Sequence, residues 1–170
     1  KNVGINSCRP VFTSKDEKST YIKNGYDPVL TLQLKVNNMT NLLVANDAFF
    51  SKESLSSVVT GVNQGGKTTW LRMIGLSHVM AQAGLYVFAE EAVLSPVDNI
   101  FTVFASEEKG ELGHGKLGED FIKISNLFDN VTGDSLVLLN EALSSTSQDD
   151  AAFLTTEYIK ILNKIGCRSA

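Results

Sequence analysis

Residues 55–71 read LSSVVTGVNQGGKTTWL and contain the strongest structural signal in the sequence. The pattern GxxxxGK[ST] is complete from Gly61 to Thr68, between a short apolar run and a helix-like segment, which is the context that a phosphate loop requires. Glycines let backbone N–H groups converge on phosphate oxygens, and the following helix points its positive dipole end at the same anion. The sequence therefore predicts nucleotide-binding residues at Gly61, Val62, Asn63, Gln64, Gly65, Gly66, Lys67, Thr68 and Thr69. An ordinary glycine-rich turn entering a helix is the alternative.

A second signal lies where the apolar run SLVLL at 135–139 meets Asn140 and Glu141. In phosphate-loop proteins a carboxylate at such a strand end orders the water shell of Mg²⁺, and a following Glu can polarise the attacking water. We expect Thr68 and Asn140 on the metal side, the latter through water and without negative charge, so that Mg²⁺ is held weakly. Glu141 and Lys67 are the predicted catalytic residues. The alternative for Glu141 is a solvated carboxylate at a strand end.

The order of apolar segments predicts an α/β fold. From Leu55 onward, helix-like segments alternate with strand-like runs, which is typical of a mostly parallel sheet flanked by helices. The predicted strands are LSSVV at 55–59, LYVFA at 85–89, NIFTVF at 99–104 and SLVLL at 135–139. Apolar residues at helical spacing predict two helices with a core-facing stripe: Leu117, Phe121, Ile124, Phe128 and Val131 in one, and Leu154, Tyr158, Ile161 and Ile165 in the other. Residues 1–52 read as a β-rich lead-in with strands at 29–34 and 42–45, packed on a core formed by 53–170.

Composition excludes several classes of protein. The 170 residues are 43% hydrophobic and carry a net charge of −4, as expected for a globular domain and not for a disordered chain. The two cysteines, Cys8 and Cys167, suggest neither a disulfide framework nor a zinc module. No apolar run is long enough for a membrane span, and the N-terminus lacks a secretory signal, so we expect a soluble, cytoplasmic protein. The mildly acidic net charge argues against direct DNA binding through a broad basic surface.

Several motifs, in order, resemble the MutS family of DNA mismatch repair ATPases. The stretch VVTGVNQGGKTTWLRMIGLSHVMAQAGLYVFAEEA at 58–92 is similar to the phosphate-loop region of that family. The resemblance continues through VDNIFTVFAS at 97–106 and SLVLLNEALSSTSQDD at 135–150, and it covers about residues 28–162. Upstream, NLLVANDAFF at 41–50 resembles the family segment ending in Asn-Asp near the adenine, which implies a nucleotide contact at Asn46.

The resemblance implies a P-loop NTPase fold of ABC-ATPase type that uses ATP and Mg²⁺. It further implies a homodimer that closes through the ATPase face when ATP binds, with DNA held by other domains of the full-length protein. The family's signature facing the partner's γ-phosphate corresponds here to GHGKLGED at 113–120, and its trans-acting residues would be Gly113, Gly115, Lys116 and Gly118. Thr146, Ser147 and Asp150 match a dimer-facing loop, or else an ordinary helix start.

The sequence departs from the family pattern at several positions. Asn140 replaces the strand-end Asp, Leu143-Ser144-Ser145 replaces Gly-Arg-Gly, Phe88 replaces a Pro, and Gly115 stands where the signature has Ser. The chain also ends before the family's strand with Thr-His. We therefore expect a divergent, C-terminally truncated fragment that hydrolyses ATP slowly.

Isolated candidates have a structural and a functional interpretation. His78 lies in an apolar helical segment and is expected in the core, whereas His114 in the glycine loop could contact phosphate. Trp70 and Phe101 are more typical of core residues than of platforms for an adenine ring. Glu90 follows an apolar run and is expected in a solvated turn.

These residues are compatible with three functions. The first is the ATPase module of a MutS-like protein in DNA repair or another DNA transaction. The second is a nucleotide-binding switch with little hydrolysis, which Asn140 suggests. The third is a small-molecule kinase, which is disfavoured because Arg9, Arg72 and Arg168 are the only arginines and none lies in a lid-like segment.

Overall fold

A computed structural model describes residues 5–62, 65–104, 116–143 and 146–170 of the chain. Its elements are α-helices and β-strands, and they fall into two units. The first unit comprises Lys1–Ser54 and Val59–Val97, and the second comprises Leu55–Val58 and Asp98–Ala170. The predicted α/β class is confirmed. Among the described residues, no helix is both long and apolar enough to cross a membrane.

The first unit is built on a mixed four-stranded sheet. In chain order its strands are β1 (Val11–Phe12), β2 (Thr20–Gly25), β3 (Asn46–Phe50) and β4 (Glu91–Leu94). The order across the sheet is β1-β4-β2-β3, with β1 parallel to β4 and β2 antiparallel to both neighbours. β4 therefore joins the lead-in's sheet from beyond residue 52. The predicted division at residue 52 itself stays a prediction.

One face of this sheet forms the core of the first unit. Ile22 is paired with Ala48 on one side and Ala92 on the other, and all three side chains are buried. On the opposite face, Tyr21 is paired with Phe49 and Val93, which are more exposed. This alternation follows from the two-residue period of a strand.

Two helices complete the first unit: α1 (Pro28–Val36) and α2 (Lys67–Gln82). The predicted strand at 29–34 is wrong, because the chain starts a helix there. The Asp27 side chain caps the helix by accepting hydrogen bonds from the N–H groups of Val29 and Leu30, and Pro28 occupies the first turn, where its missing N–H costs nothing. The predicted strand at 42–45 is also wrong, since a 3-10 helix ends at Leu42 and β3 begins at Asn46.

Helix α2 carries the central side chains of the first unit. Met73, Ile74 and His78 are almost completely buried on it. His78 is a core residue as expected, and its Nε2 lies 2.9 Å from the Thr20 hydroxyl. The Arg72 guanidinium Nε lies 3.1 Å from the buried Asp27 carboxylate, which connects α2 to the start of α1.

The predicted mostly parallel sheet is confirmed in part, because the sheet of the second unit is parallel whereas that of the first unit is mixed. The strands of the second unit are β5 (Ile100–Phe104), β6 (Leu136–Asn140) and β7 (Arg168–Ser169), in the order β5-β6-β7. The predicted strand at 55–59 contributes a single parallel bridge, between Ser56 and Ser169. The predicted strand at 85–89 is likewise reduced to one bridge, between Val87 and Cys8 in the first unit.

Two amphipathic helices, α3 (Lys116–Asn130) and α4 (Gln148–Ile165), complete the second unit. The core that they cover includes the buried thiol of Cys167 together with Val137, Ile124, Leu127 and Leu162. The stripes are only partly as expected. Phe121, Ile161 and Ile165 are exposed. The other described members of the predicted stripes are confirmed as core-facing, since Ile124 is buried in the core and four residues pack against it: Phe128, Val131, Leu154 and Tyr158.

Candidate functional site

The predicted phosphate loop enters α2 through two glycines with different constraints. Gly66 has φ of +90°, a left-handed conformation that favours glycine. At Gly65 the constraint is space, since an added Cβ would lie 2.9 Å from the carbonyl oxygen of Val62. The Gly65 N–H donates to that same oxygen at 3.1 Å. Asn63 and Gln64 lie outside the described residues.

Lys67, the first residue of α2, turns its side chain back into the loop. Its Nζ donates hydrogen bonds to the carbonyl oxygens of Gly61 at 2.9 Å and Val62 at 3.0 Å. The ammonium is therefore held at the helix N-terminus, where the backbone N–H groups and the helix dipole already favour an anion. Thr68 and Thr69 follow in the same first turn and are half-buried.

A cavity of about 310 Å³ opens beside this loop in the first unit. Its volume lies at the lower end of the range for small-molecule sites, about 300–1,000 Å³. The structure brings five of the predicted nucleotide-binding residues to it, together with three that the sequence did not single out as nucleotide-binding residues. The lining residues are Asn46, Val59, Thr60, Gly61, Gly65, Gly66, Lys67 and Trp70.

Two of the residues that line the cavity, Asn46 and Trp70, lie outside the glycine motif in the sequence. The indole Nε1–H of Trp70 donates to the carbonyl oxygen of Asp47 at 2.8 Å, and its ring centroid lies 6.5 Å from that of Phe50. Asn46 begins β3, and its Nδ2 donates to the carbonyl oxygen of Val44 at 3.2 Å. The preference for a core role at Trp70 therefore missed its position in the cavity wall.

The predicted strand-end pair lies in the second unit. Asn140 ends β6, where it is half-buried and pairs in register with Phe104 of β5. Glu141 follows with its side chain exposed and its backbone at φ of +52°. A non-glycine residue in this left-handed region is uncommon and costs on the order of 1 kcal/mol. Glu141 therefore combines an exposed side chain with an unusual backbone conformation at the end of β6.

Two of the predicted trans-acting residues lie at the start of α3. Lys116 is the first residue of that helix and Gly118 lies half-buried in its first turn. Gly113, His114 and Gly115 lie outside the described residues. At the start of α4, the Ser147 hydroxyl accepts a hydrogen bond from the Asp150 N–H at 3.2 Å, which is the geometry of a helix N-cap. This supports the helix-start interpretation of Ser147 and Asp150.

Glu90 forms hydrogen bonds with two residues of the first unit, to which it also belongs. Its carboxylate accepts hydrogen bonds from Lys23 Nζ and from Asn24 Nδ2, both at 2.7 Å. The hydrogen bond from Lys23, followed by that from Asn24, lowers the pKa of Glu90 below its ordinary value. Among the described residues, no group of three or more His, Cys, Asp or Glu side chains could hold a metal ion.

Comparison with known proteins gives consistent relatives. Residues 57–169 match the family model described as MutS domain V. The chain is 34% identical over 155 residues to the DNA mismatch repair protein Msh3 of Homo sapiens, an alignment that covers 89% of this chain and 13% of that protein. It is 33% identical over 168 residues to the DNA mismatch repair protein MutS of Clostridium kluyveri, covering 96% of this chain and 19% of the relative. The DNA mismatch repair protein MutS of Thermotoga maritima is 32% identical over 163 residues, an alignment that covers 96% of this chain and 19% of that protein. The chain thus spans less than a fifth of the length of these relatives.

Proposed function

Since the chain belongs to the MutS family, we propose that it is an ATP-binding and ATP-hydrolysing module of a protein that acts in DNA mismatch repair or another DNA transaction. The proposal includes the P-loop NTPase fold of ABC-ATPase type. The observation that carries it is the cavity of about 310 Å³ beside the phosphate loop, with Lys67 and the N-terminus of α2 in its wall.

The phosphate end of this cavity has the chemistry that a triphosphate needs. Lys67 donates to two loop carbonyls, which are neutral acceptors, and phosphate oxygens would replace them as charged acceptors. A phosphate oxygen carries negative charge, so it adds an attraction between opposite charges that a neutral carbonyl oxygen does not provide. The exchange therefore favours anion binding, and the first-turn N–H groups of α2 add further donors.

Hydrolysis would be carried by the strand-end pair. In this proposal Glu141 orients or deprotonates the attacking water, and Lys67 stabilises the charge that develops on the transferred phosphoryl group. Mg²⁺ is usually held by substrate phosphates and few protein groups, and the Thr68 hydroxyl and a water held by Asn140 fit that role. Because an amide adds no negative charge, we expect weak Mg²⁺ retention and slow turnover.

The proposal extends to the assembly. The stretch 113–120 would offer N–H donors to the γ-phosphate bound by a second copy of the chain, so that two ATP-loaded sites close across a homodimer interface. DNA would be held by other domains. The acidic net charge of the chain means that association without nucleotide should be weak.

A second candidate is a switch that binds ATP with little or no hydrolysis. Asn140 favours it, because the strand-end position lacks the carboxylate that would help to hold Mg²⁺. Binding and hydrolysis therefore need separate tests.

Binding is tested with Lys67→Ala, and Lys35→Ala is the matched control because Lys35 lies exposed in the last turn of α1 in the same unit. Equilibrium dialysis with radiolabelled ATP and Mg²⁺ measures affinity. Loss of charge-assisted hydrogen bonds worth about 1.5–3 kcal/mol predicts an affinity at least tenfold lower for Lys67→Ala only. If circular dichroism shows that Lys67→Ala is folded and it still binds ATP as tightly as the parent, this site is excluded.

Turnover is tested with Asn140→Asp and Glu141→Gln. We expect a slow Mg²⁺-dependent release of phosphate in the parent, a faster one in Asn140→Asp, and none in Glu141→Gln. Binding without release in both the parent and Asn140→Asp would favour the switch. Sedimentation of Glu141→Gln with and without a non-hydrolysable ATP analogue tests the dimer, which should form only with the analogue.

A further inference from the structure

Trp70 lies on the same side of α2 as the lysine of the phosphate loop. It follows Lys67 by three residues, a spacing that places two side chains on one face of a helix. Both residues line the cavity, and the indole is half-buried there. An indole beside an anion-binding loop needs an explanation, because its ring offers nothing to phosphate except the single N–H donor.

That donor is already used. The Nε1–H of Trp70 is hydrogen-bonded to the carbonyl oxygen of Asp47 at 2.8 Å. The remaining ring atoms can therefore present only an aromatic surface to a ligand. Val59 lines the same cavity and adds an aliphatic side chain. The cavity thus combines an anion-binding end at the glycines and Lys67 with an apolar, aromatic wall.

The aromatic wall is also held in place before any ligand binds. The hydrogen bond fixes one edge of the indole to β3, and the ring of Phe50, which is completely buried, supports it at a tilt of 35°. A side chain that is already fixed loses little conformational entropy on binding. This favours a contact with a rigid, planar ligand group.

We propose that Trp70 is a binding residue that packs against the base of the nucleotide, so that the site takes a nucleoside triphosphate and discriminates against a triphosphate without a base. The inference rests on the proposed nucleotide site and adds the residue that recognises the base. Base–aromatic packing tolerates different bases, since every base has a π face. Trp70 therefore selects for the presence of a base and favours the larger face of a purine.

The experiment compares ATP with inorganic tripolyphosphate by calorimetry, both with Mg²⁺, on the parent, Trp70→Leu and Trp70→Phe. Phe153→Leu, at an exposed aromatic residue on α4 in the second unit, is the matched control. We expect Trp70→Leu to weaken ATP about tenfold and tripolyphosphate less than twofold. Trp70→Phe, which keeps an aromatic ring but loses the N–H donor, should stay within about threefold of the parent for both ligands.

A second measurement needs no variant. Trp70 is the only tryptophan of the chain, so its emission reports directly on the cavity. ATP should change the emission at saturation, and tripolyphosphate should change it much less. If Trp70→Leu lowers the affinities for ATP and tripolyphosphate equally, Trp70 has only a structural role and the inference is wrong. An unchanged ATP affinity in Trp70→Leu, or equal emission changes with the two ligands, would also overturn it. If the parent binds neither ligand, the proposed nucleotide site itself is wrong. If the parent binds ATP but Trp70→Leu does not lose it selectively, only the inference about Trp70 is wrong.

Discussion

Removing Arg72 should destabilise the protein more than removing its partner, Asp27. The two side chains form an ion pair at 3.1 Å, but they differ in environment, because the Asp27 carboxylate is fully buried and the Arg72 side chain is 44% exposed. The contact is electrostatic in character, since Asp27 Oδ2 does not receive a hydrogen bond from the guanidinium. In Arg72→Met the carboxylate stays buried and keeps only the N–H groups of Val29 and Leu30.

The magnitude follows from the distance and the exposure. Two unit charges at this separation attract by about 5 kcal/mol at an effective dielectric constant of 20 and about 1 kcal/mol in water. Because one partner is half-exposed, we expect Arg72→Met to cost about 2 kcal/mol of unfolding free energy, below the range for fully buried pairs. Asp27→Asn keeps the helix cap and lets Arg72 turn to water, so it should cost about 1 kcal/mol or less.

Urea unfolding at pH 7, followed by circular dichroism, measures both variants and the double variant. In the Asp27→Asn background, Arg72→Met should cost almost nothing, which makes the coupling energy about 2 kcal/mol. The thermal midpoint of Arg72→Met should fall by about 4–8 °C. A larger loss of unfolding free energy in Asp27→Asn than in Arg72→Met would contradict this expectation. So would an Arg72→Met cost that is as large in the Asp27→Asn background as in the parent.

Three further outcomes are expected. Gly25→Ala should lower the free energy of unfolding by about 1–3 kcal/mol and with it the urea midpoint, because the new Cβ would lie 2.5 Å from Ile22 Cγ2 and 2.7 Å from Met73 Sδ; an unchanged midpoint would contradict the close packing. Glu141→Gly should leave the thermal midpoint unchanged or higher, while phosphate release is lost, because relief of about 1–2 kcal/mol of left-handed strain offsets the cost of about 0.5–1 kcal/mol that glycine brings in chain entropy; a lower midpoint would contradict the strain. Burial raises the pKa of Asp98, but hydrogen bonds from two hydroxyl groups and nearby backbone N–H groups outweigh it and hold that pKa below its ordinary value. Stability from this group is therefore present above about pH 4 and lost as the pH falls through the lowered pKa, so acid unfolding should be less steep in Asp98→Asn.

The parts of the fold that were predictable from sequence are those with a strong local period. The helix after the glycine motif begins at Lys67, the strand at 135–139 is β6 within one residue, and the two amphipathic helices are α3 and α4. Each carries its own signal in spacing or in glycine placement. The lead-in lacks such a signal. The run VLTLQL at 29–34 fits a strand and a helix equally, and the deciding feature is the Asp27-Pro28 start, which favours a helix.

The candidate site was predictable only as far as its local motif reaches. Gly61, Gly65, Gly66 and Lys67 line the cavity together because they belong to one loop. Trp70 could not be assigned from spacing, since an aromatic residue on a largely apolar helix fits a core position just as well. Its place in the wall depends on β3, which lies more than twenty residues earlier in the chain and provides the acceptor at Asp47.

The complete burial of Cys167 has a practical consequence for the thermodynamics of this protein. Its thiol is inaccessible in the folded second unit, where Sγ lies 3.2 Å from the carbonyl oxygen of Ser135, so a thiol reagent can reach it only after that unit opens. The single tryptophan belongs to the first unit. Cys8 reacts separately because it is only half-buried, and it can be replaced by Ser. Each unit therefore carries its own reporter, and coincidence or separation of the two transitions would show whether the units unfold cooperatively.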